Sequence, residues 1–201
     1  MKITRALTSP FGANTYVVMD TVTNKGVIID PGGYDDALAK KIKAADVSIL
    51  YIILTHGHPD HTGGAKGFKK EFPEAKLVAC LHEKEMLATG SMFFGDKEGI
   101  TPDMFVEDGD TLKVGELTLR IIHTPGHSPG GICIYVNDCL FSGDTLFRQS
   151  IGRTDFPGAS FNTLKRAIHE KLFTLPETTR VFPGHMEETD IGFEKRNNPF
   201  V

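Results

Sequence analysis

Short runs of apolar residues recur along the chain and alternate with segments whose apolar positions have helical spacing. The runs are bounded by Gly, Pro, Asn or Asp, which is typical of β-strands. They occupy residues 16–19, 26–30, 49–54, 76–80, 111–114, 117–123, 131–136, 139–142 and 179–182. Apolar residues spaced three and four apart predict helices at residues 35–45, 65–71, 83–88 and 161–172. The mixed order of strands and helices predicts an α/β protein whose layers pack around one core.

No segment has the composition of a linker or of a low-complexity region. A chain of 201 residues is long enough for a sizeable core, so we expect a single domain over residues 1–201. The least regular segment, residues 90–99, carries Met92, Phe93 and Phe94 without a clear period. We expect it to form either a loop over a site or a packed surface turn.

The run at residues 49–54 is almost continuously apolar, which indicates a strand buried on both faces. Thr55-His56-Gly57-His58-Pro59-Asp60-His61 follows it directly. Imidazole nitrogens and carboxylate oxygens are ligands that zinc, iron and manganese accept. Turns favour Gly, Pro, Asn and Asp because of their backbone conformations, and nothing about a turn explains three histidines. The segment therefore predicts part of a metal site at the end of a strand.

Three further candidate ligands also follow predicted strands, and each has a glycine immediately before it. These candidates are His127, Asp144 and His185, preceded by Gly126, Gly143 and Gly184. Loops at the ends of strands are where α/β folds assemble their sites, and a glycine lets the backbone turn sharply there. We expect all three side chains to join the histidine-rich segment.

The candidate ligands are sufficient for two metal ions. A first ion would take three nitrogen ligands, from His56, His58 and His127. A second ion would take one oxygen and two nitrogens, from Asp60, His61 and His185. Asp144 has two carboxylate oxygens and could bridge both ions, as in hydrolytic sites whose metals share a hydroxide. For the other three histidines, His82, His123 and His169, an ordinary structural or surface role is expected.

Composition and charge exclude several classes of function. The hydrophobic content of 40% and charged content of 24% are ordinary for a globular protein. A formal net charge of −4 disfavours a nucleic-acid partner. We expect no membrane partner, since no apolar stretch reaches the length of a membrane span. The N-terminus lacks the apolar core of a signal peptide, so a cytoplasmic location is expected. Nothing in the sequence indicates an oligomeric state.

The three cysteines, Cys80, Cys133 and Cys139, are too few for a disulfide framework. Each lies within or beside an apolar run, so each is expected to be a small buried hydrophobic residue.

The ligand pattern resembles the metallo-β-lactamase fold superfamily, and the resemblance spans essentially the whole chain. It rests on His56-x-His58-x-Asp60-His61, His127, Asp144 and His185, and on Asp30-Pro31-Gly32 after an early strand. It implies an αββα four-layer sandwich of two mixed β-sheets flanked by helices. It also implies two divalent metal ions, Zn²⁺ foremost and Fe or Mn as alternatives, held by the seven candidate ligands.

Within the superfamily, Gly143-Asp144-Thr145-Leu146-Phe147 is similar to the glyoxalase II branch of hydroxyacylglutathione hydrolases. This implies hydrolysis of a small-molecule thioester, S-D-lactoylglutathione or a related acyl thiol, by a hydroxide shared between the metals. Asp60 would hold that hydroxide as a catalytic residue. A thiolate leaves without a strong general acid, whereas an amine needs a proton donor, so a peptidase or lactamase is less natural.

Two departures from glyoxalase II bear on the substrate. Only 16 residues follow His185, so the C-terminal helical domain that binds glutathione in those enzymes is expected to be missing. In the loop after Asp144, Arg153 is the candidate substrate-binding residue, while Asp155 replaces a tyrosine and would repel a carboxylate. Arg153 and Asp155 could equally form an internal ion pair that stiffens the loop, which is compatible with a substrate-side role for Arg153.

The same loop also resembles the persulfide dioxygenases, which leaves a second function open. A mononuclear-iron enzyme of that kind would use His56 or His58 together with His127 and Asp144. It would leave the second set of ligands empty, so the presence of all seven candidate ligands favours hydrolysis.

Overall fold

Twelve strands form two six-stranded sheets in the computed structural model, which describes residues 1–89 and 99–201. The first sheet contains, in spatial order, β1 (Lys2–Leu7), β2 (Asn14–Asp20), β3 (Lys25–Ile29), β4 (Ser48–Ile53), β5 (Lys76–Cys80) and β6 (Met104–Val106). Strands β1 to β3 pair antiparallel, whereas β3 to β6 pair parallel. The first sheet is therefore mixed, and its parallel half carries the crossover helices.

The second sheet is also mixed. Its strands are β7 (Thr111–Val114), β8 (Leu117–His123), β9 (Ile132–Val136) and β10 (Cys139–Gly143), and, after the short hairpin β11 (Leu146–Phe147) and β12 (Ser150–Ile151), β13 (Arg180–Pro183) and β14 (Thr189–Asp190). The spatial order is β14-β13-β10-β9-β8-β7. Only β10 and β13 pair parallel, so their ends lie together at one edge of the sandwich.

Six α-helices lie among the described residues: α1 (Asp36–Ala44), α2 (Pro59–Thr62), α3 (Ala65–Glu71), α4 (Lys84–Thr89), α5 (Phe161–Ala167) and α6 (Ile191–Asn197). A 3₁₀ turn, Leu81–Glu83, precedes α4, and a π-helical turn, Ile168–Leu172, follows α5. Side-chain caps begin three of these helices, and Asp190 caps α6 by accepting a hydrogen bond from Phe193 N (2.7 Å). Asp35 accepts a hydrogen bond from Leu38 N (3.0 Å), and Ser160 accepts one from Thr163 N (3.3 Å).

Alternation along the strands builds four layers. In β3, Val27 and Ile29 point into the core between the sheets, whereas Ile28 points to the other face of the first sheet. That other face packs against α1, α3 and α4, and the outer face of the second sheet packs against α5 and α6. The expected αββα four-layer sandwich is confirmed.

The strands and helices predicted from periodicity are confirmed, with two changes in the helices. Residues 83–88 begin within the 3₁₀ turn, and the predicted helix at 161–172 widens to a π-helical turn after Ala167. The pattern did not predict β1, β6, β14 or α6, because short or half-exposed elements carry little periodic signal. All three cysteines are buried and free, as expected.

Among the described residues, no helix combines the length and the apolar character needed to cross a bilayer. Of the segment 90–99, residues 90–98 lie outside the described residues, and with them the expected loop or turn.

Candidate metal centre

The seven predicted ligand residues lie together at one end of the sandwich, where four strands end. His56 follows β4, and Asp60 and His61 lie in the single turn of α2 that begins at Pro59. His127 follows β8, Asp144 follows β10 and His185 follows β13. The two sheets therefore both contribute residues to this candidate site.

The first cluster consists of His56, His58 and His127. Their ligand atoms lie within 4.8 Å of one another, and His58 Nδ1 is 2.9 Å from His127 Nε2. The Nε2 atom of His56 is buried and has no hydrogen-bond partner in the described part of the chain. A buried polar atom without a hydrogen-bond partner is costly, so this nitrogen is available to bind a metal ion.

The second cluster consists of Asp60, His61 and His185. Their ligand atoms also lie within 4.8 Å of one another. His185 Nε2 is 3.2 Å from Asp60 Oδ2 and 3.2 Å from His61 Nε2. Like the first cluster, the second places three ligand atoms close enough together to bind one metal ion.

Asp144 lies between the two clusters. Its Oδ2 atom is 3.5 Å from His127 Nε2 in the first cluster and 3.6 Å from His185 Nε2 in the second. Its Oδ1 atom is 3.3 Å from His61 Nε2, but it forms no hydrogen bond of normal angular geometry within the described residues. The clusters and this shared carboxylate are consistent with a dinuclear metal site.

Burial lowers the pKa of every histidine in the first cluster. His56 is the most affected, because burial and the neighbouring imidazoles hold its pKa well below 6.5. Burial and the nearby His127 lower the pKa of His58 to about 4, and burial also lowers the pKa of His127. These imidazoles are neutral at neutral pH and offer their lone pairs to a metal.

In the second cluster, carboxylates reverse this trend. Burial opposes a charge on His61, but Asp144 and Asp30 outweigh burial and raise the pKa of His61 well above 6.5. Burial likewise opposes a charge on His185, and the hydrogen bond to Asp60 and the charge of Asp144 raise its pKa. The same histidines outweigh burial at Asp144 and lower its pKa to about 2.

Glycines allow the ligand loops to approach closely. Gly143 has a φ of +48°, in the left-handed region, and a Cβ there would lie 2.7 Å from Thr55 Cβ. A Cβ at Gly184 would overlap Asp144 Oδ1 and lie 2.7 Å from His61 Cε1. Any larger residue at either position would displace the loop that carries the neighbouring ligand.

Asp30 orients one member of the second cluster and lies outside the predicted site residues. Its carboxylate accepts hydrogen bonds from Thr55 N (2.7 Å) and Thr55 Oγ1 (2.6 Å), and it lies 2.9 Å from His61 Nδ1. Its backbone has a φ of +50°. Asp30-Pro31-Gly32 belongs to the sequence pattern of the family, but no local feature of the sequence indicated that Asp30 would contact Thr55 and His61.

The loop that carries His185 is held by Asn14, which sequence reasoning missed. The buried Asn14 Nδ2 donates to Pro183 O (2.9 Å) and to Met186 O (3.0 Å), on either side of His185. Tyr16 OH also donates to Pro183 O (2.8 Å). Met186 has a φ of +68°, an uncommon conformation for a residue other than glycine.

Arg153 contacts the first cluster through its backbone. Its carbonyl oxygen lies 2.7 Å from His127 Nδ1, and such outer contacts fix the orientation of a ligating imidazole. The Arg153 side chain is 68% exposed and forms a bidentate ion pair with Asp155 (3.0 and 2.8 Å). It also lies over the ring of Phe156, which packs against His58 at 4.9 Å. The internal ion pair expected from the sequence is present.

The remaining histidines have structural surroundings. The rings of His82 and His123 stack with their centres 4.9 Å apart, and His123 Nε2 lies 3.0 Å from Pro129 O. His169 packs edge-on against Phe173. None of them belongs to a candidate metal cluster of the described residues, in agreement with the sequence.

Two facing mixed sheets with a two-part His/Asp site at one edge define a class of metal-dependent enzymes. The chain belongs to the metallo-β-lactamase superfamily, because the model of that family matches residues 8–185.

Two curated relatives resemble the chain over nearly its whole length. It is 38% identical over 209 residues to the "Probable metallo-hydrolase YqgX" of Bacillus subtilis, covering 100% of this chain and 98% of the relative. It is 36% identical over 199 residues to the "Hydroxyacylglutathione hydrolase GloC" of Haemophilus influenzae, covering 95% and 93%.

Two solved structures share the fold. The BLEG-1 B3 metallo-β-lactamase has a TM-score of 0.90 at 35% identity, with 99% of each chain covered. TTHA1623, solved in a di-iron-bound form, has a TM-score of 0.85 at 31% identity, with 98% and 100% covered.

Proposed function

We propose that the chain is a dinuclear metal-dependent hydrolase of small-molecule thioesters. The observation that carries the proposal is the position of Asp144, whose carboxylate lies within 3.6 Å of imidazole nitrogens from both clusters. The donor set fits divalent metals, since it consists of imidazole nitrogens and carboxylate oxygens. Two buried ligand atoms, His56 Nε2 and Asp144 Oδ1, lack hydrogen bonds among the described residues, which a bound ion would correct.

The first cluster would hold one ion and the second cluster the other, with Asp144 contributing to both. We propose Zn²⁺ for both positions, and Fe or Mn as alternatives that the same ligands accept. When bound, two such ions supply a hydroxide at neutral pH and polarise a carbonyl or phosphoryl oxygen.

The side chains favour a substrate with a good leaving group. Burial raises the pKa of Asp60, but the hydrogen bond to His185 and the charge of His61 outweigh it, so the pKa is lowered. With Asp144 also ionised, neither carboxylate carries a proton that it could give to a leaving group. A thiol has a pKa of about 8.5 and leaves as a thiolate without a donor, whereas an amine does not. Asp60 is therefore proposed as the catalytic residue that orients the attacking water.

The substrate is proposed to be S-D-lactoylglutathione or a related acyl thiol. The support is the name of the Haemophilus influenzae relative, together with an accessible ring at the site. Phe156 packs on His58 and His127 and offers an apolar wall for the acyl group or the thiol. Arg153 lies beside that ring and would contact the substrate once its pairing with Asp155 is exchanged for a carboxylate of the substrate.

The proposal is tested on protein purified without added metal and then loaded with Zn²⁺. Metal content is measured by elemental analysis. Release of free thiol is followed with S-D-lactoylglutathione and a simple acyl thioester, and opening of the β-lactam ring is followed by absorbance with a cephalosporin. The expected result is two ions per chain and thioester turnover well above cephalosporin turnover. Faster cephalosporin turnover, or no thiol release by protein with two ions, would overturn it.

A second candidate is the mononuclear-iron persulfide dioxygenase, for which His127 and Asp144 are close enough to share one ion (3.5 Å). The metal of the solved relative TTHA1623 is the observation in its favour, although that structure holds two irons and supports only the choice of iron. The same purified protein decides between the two functions. One iron per chain with oxygen uptake on a glutathione persulfide, and no thioester turnover, would favour this second candidate.

A further inference from the structure

Glu83 is a buried carboxylate that the proposed reaction does not use. It ends the 3₁₀ turn Leu81–Glu83, directly after β5, and its side chain is 0% exposed. Burial raises its pKa. Each of its two oxygens accepts one backbone hydrogen bond: Oε2 from Gly57 N (3.0 Å) and Oε1 from Gly130 N (2.7 Å). A buried carboxylate is costly unless its oxygens are paired, and here each of them has a partner.

The two amides belong to the two loops that carry the first cluster. Gly57 lies between His56 and His58 in the loop after β4 of the first sheet. Gly130 lies three residues after His127, in the loop between β8 and β9 of the second sheet. One carboxylate therefore connects, across the two sheets, the segments that hold all three members of that cluster.

Close packing supports this connection. A Cβ at Gly57 would lie 2.7 Å from Glu83 Oε2, and a Cβ at Gly130 would lie 2.7 Å from Glu83 Cγ. A Cβ at Gly130 would also lie 2.6 Å from the backbone nitrogen of Glu83, so any larger residue there would push the loop away from the turn that carries Glu83. No hydrogen bond of the described residues joins Glu83 to the second cluster, where Asn14 holds the loop of His185. Asp30 lies beside His61 and also reaches the first cluster, because its partner Thr55 Oγ1 is 3.1 Å from His56 Nδ1.

We propose that Glu83 is a positioning residue for the first cluster alone, which fixes the spacing of the two loops so that His56, His58 and His127 converge on one ion. The inference rests on the proposed two-metal function. It adds that the first half-site can be weakened separately from the second.

Glu83→Gln tests the proposal because an amide has only one acceptor oxygen. Its NH₂ group would face the N–H of Gly57 or of Gly130, so one loop loses its partner while side-chain size is kept. Loss of an outer contact of this kind weakens metal binding by roughly 10–100-fold. Glu85→Gln is the matched control, since Glu85 is an exposed residue two positions further on.

The readout is Zn²⁺ binding to the metal-free protein, measured by competition with a chromophoric chelator, together with the number of ions bound. In Glu83→Gln we expect one of the two ions to bind roughly 10–100-fold more weakly, and the other within about threefold of wild type. Glu85→Gln should match wild type for both ions. Equal weakening of both ions, or no weakening of either, would overturn the proposal.

Double variants identify the affected half-site. In a His185→Ala background, where the first cluster is left, Glu83→Gln should weaken the remaining ion by the same factor. In a His58→Ala background it should leave the remaining ion unchanged, and the reverse pattern would refute the proposal. If Glu83→Gln fails to fold, Glu83→Asp replaces it, because the shorter carboxylate cannot reach both amides and the same outcomes are expected.

Thioester turnover is measured on the same proteins as a separate arm. Selective loss of one ion without any turnover in the wild type would leave the role of Glu83 standing and refute the proposed substrate class. Turnover in the wild type, together with equal weakening of both ions in Glu83→Gln, would support the proposed substrate class and refute the role of Glu83.

Discussion

The two clusters of the metal centre use the same kind of ligand in opposite electrostatic surroundings. The first cluster has three histidines and no carboxylate of its own, and burial lowers their pKa values. In the second cluster, carboxylates lie next to His61 and His185 and raise the pKa values of both. The placement of Asp30, Asp60 and Asp144 decides which histidines hold protons, although all five imidazoles are at least half-buried.

This difference affects how each half-site takes up a metal. Neutral imidazoles in the first cluster can bind an ion without losing a proton. In the second cluster an ion must displace protons from His61 and His185, although the nearby carboxylates then compensate its charge. The comparison predicts two half-sites with separate affinities that share the carboxylate of Asp144.

The largest effect is expected from Asp144→Ala, because its carboxylate lies within 3.6 Å of imidazole nitrogens from both clusters. Both ions should bind much more weakly, and turnover of the thioester should fall to background. Elemental analysis and thiol release measure the two effects. Full metal content with full activity in this variant would show that Asp144 is not a ligand shared by the two ions.

Removal of the metal ions should have the next largest effect, which is a loss of thermal stability. An ion at 100 times its dissociation constant stabilises the folded state by about 2.7 kcal/mol, so one half-site should raise the melting temperature by roughly 5–10 °C. Wild type should show two successive increases as Zn²⁺ is added to metal-free protein. His58→Ala and His185→Ala should each show one. A single increase in wild type would mean that the two clusters do not act separately.

Asn14→Ala should weaken the second cluster and leave the first intact. It removes one of the two side-chain donors to Pro183 O and a donor to Met186 O, and each such hydrogen bond contributes about 0.5–1.5 kcal/mol of stability. The ion of the second cluster should bind roughly tenfold more weakly, by analogy with other outer contacts. Zn²⁺ competition measures this, with the exposed Asn162→Ala as control. Weakening of the first ion would contradict the separation.

The smallest effect is on proton binding in the metal-free protein. An NMR titration should show His58 titrating near pH 4 and His185 titrating above 6.5. Because the folded pKa of His58 lies below its unfolded value, its contribution to stability is lost as the pH falls from about 6.5 towards 4. The raised pKa of His185 gives the opposite sign, so its contribution is present below about 6.5 and is lost as the pH rises.

Thermal unfolding checks these signs. Relative to wild type, metal-free His58→Gln should gain stability on going from pH 8 to pH 5, and His185→Gln should lose it. The same pH dependence in both variants would show that the carboxylates do not distinguish the clusters.

The candidate ligands of both clusters could be predicted from the sequence, but the residues that hold them could not. The seven ligand candidates were predicted because each follows an apolar run and has glycine nearby, which are local signals. Asn14 carries no such signal, since it lies in a strand and its partner Pro183 is 169 positions away. Glu83 reads as an ordinary acidic residue at the start of a helix until β5 and the loop after β8 are brought together.

By itself, the sequence determined the layers and indicated the candidate ligands, because strand alternation and metal-binding residue types are properties of short segments. Only the tertiary structure decided which polar residues hold those ligands and which histidines carry protons. Both depend on distances between segments far apart in the chain, such as those joining Glu83 to Gly130 and Asp30 to His61. A pKa or a buried hydrogen bond is set by whatever lies within a few ångströms, and folding alone brings those groups together.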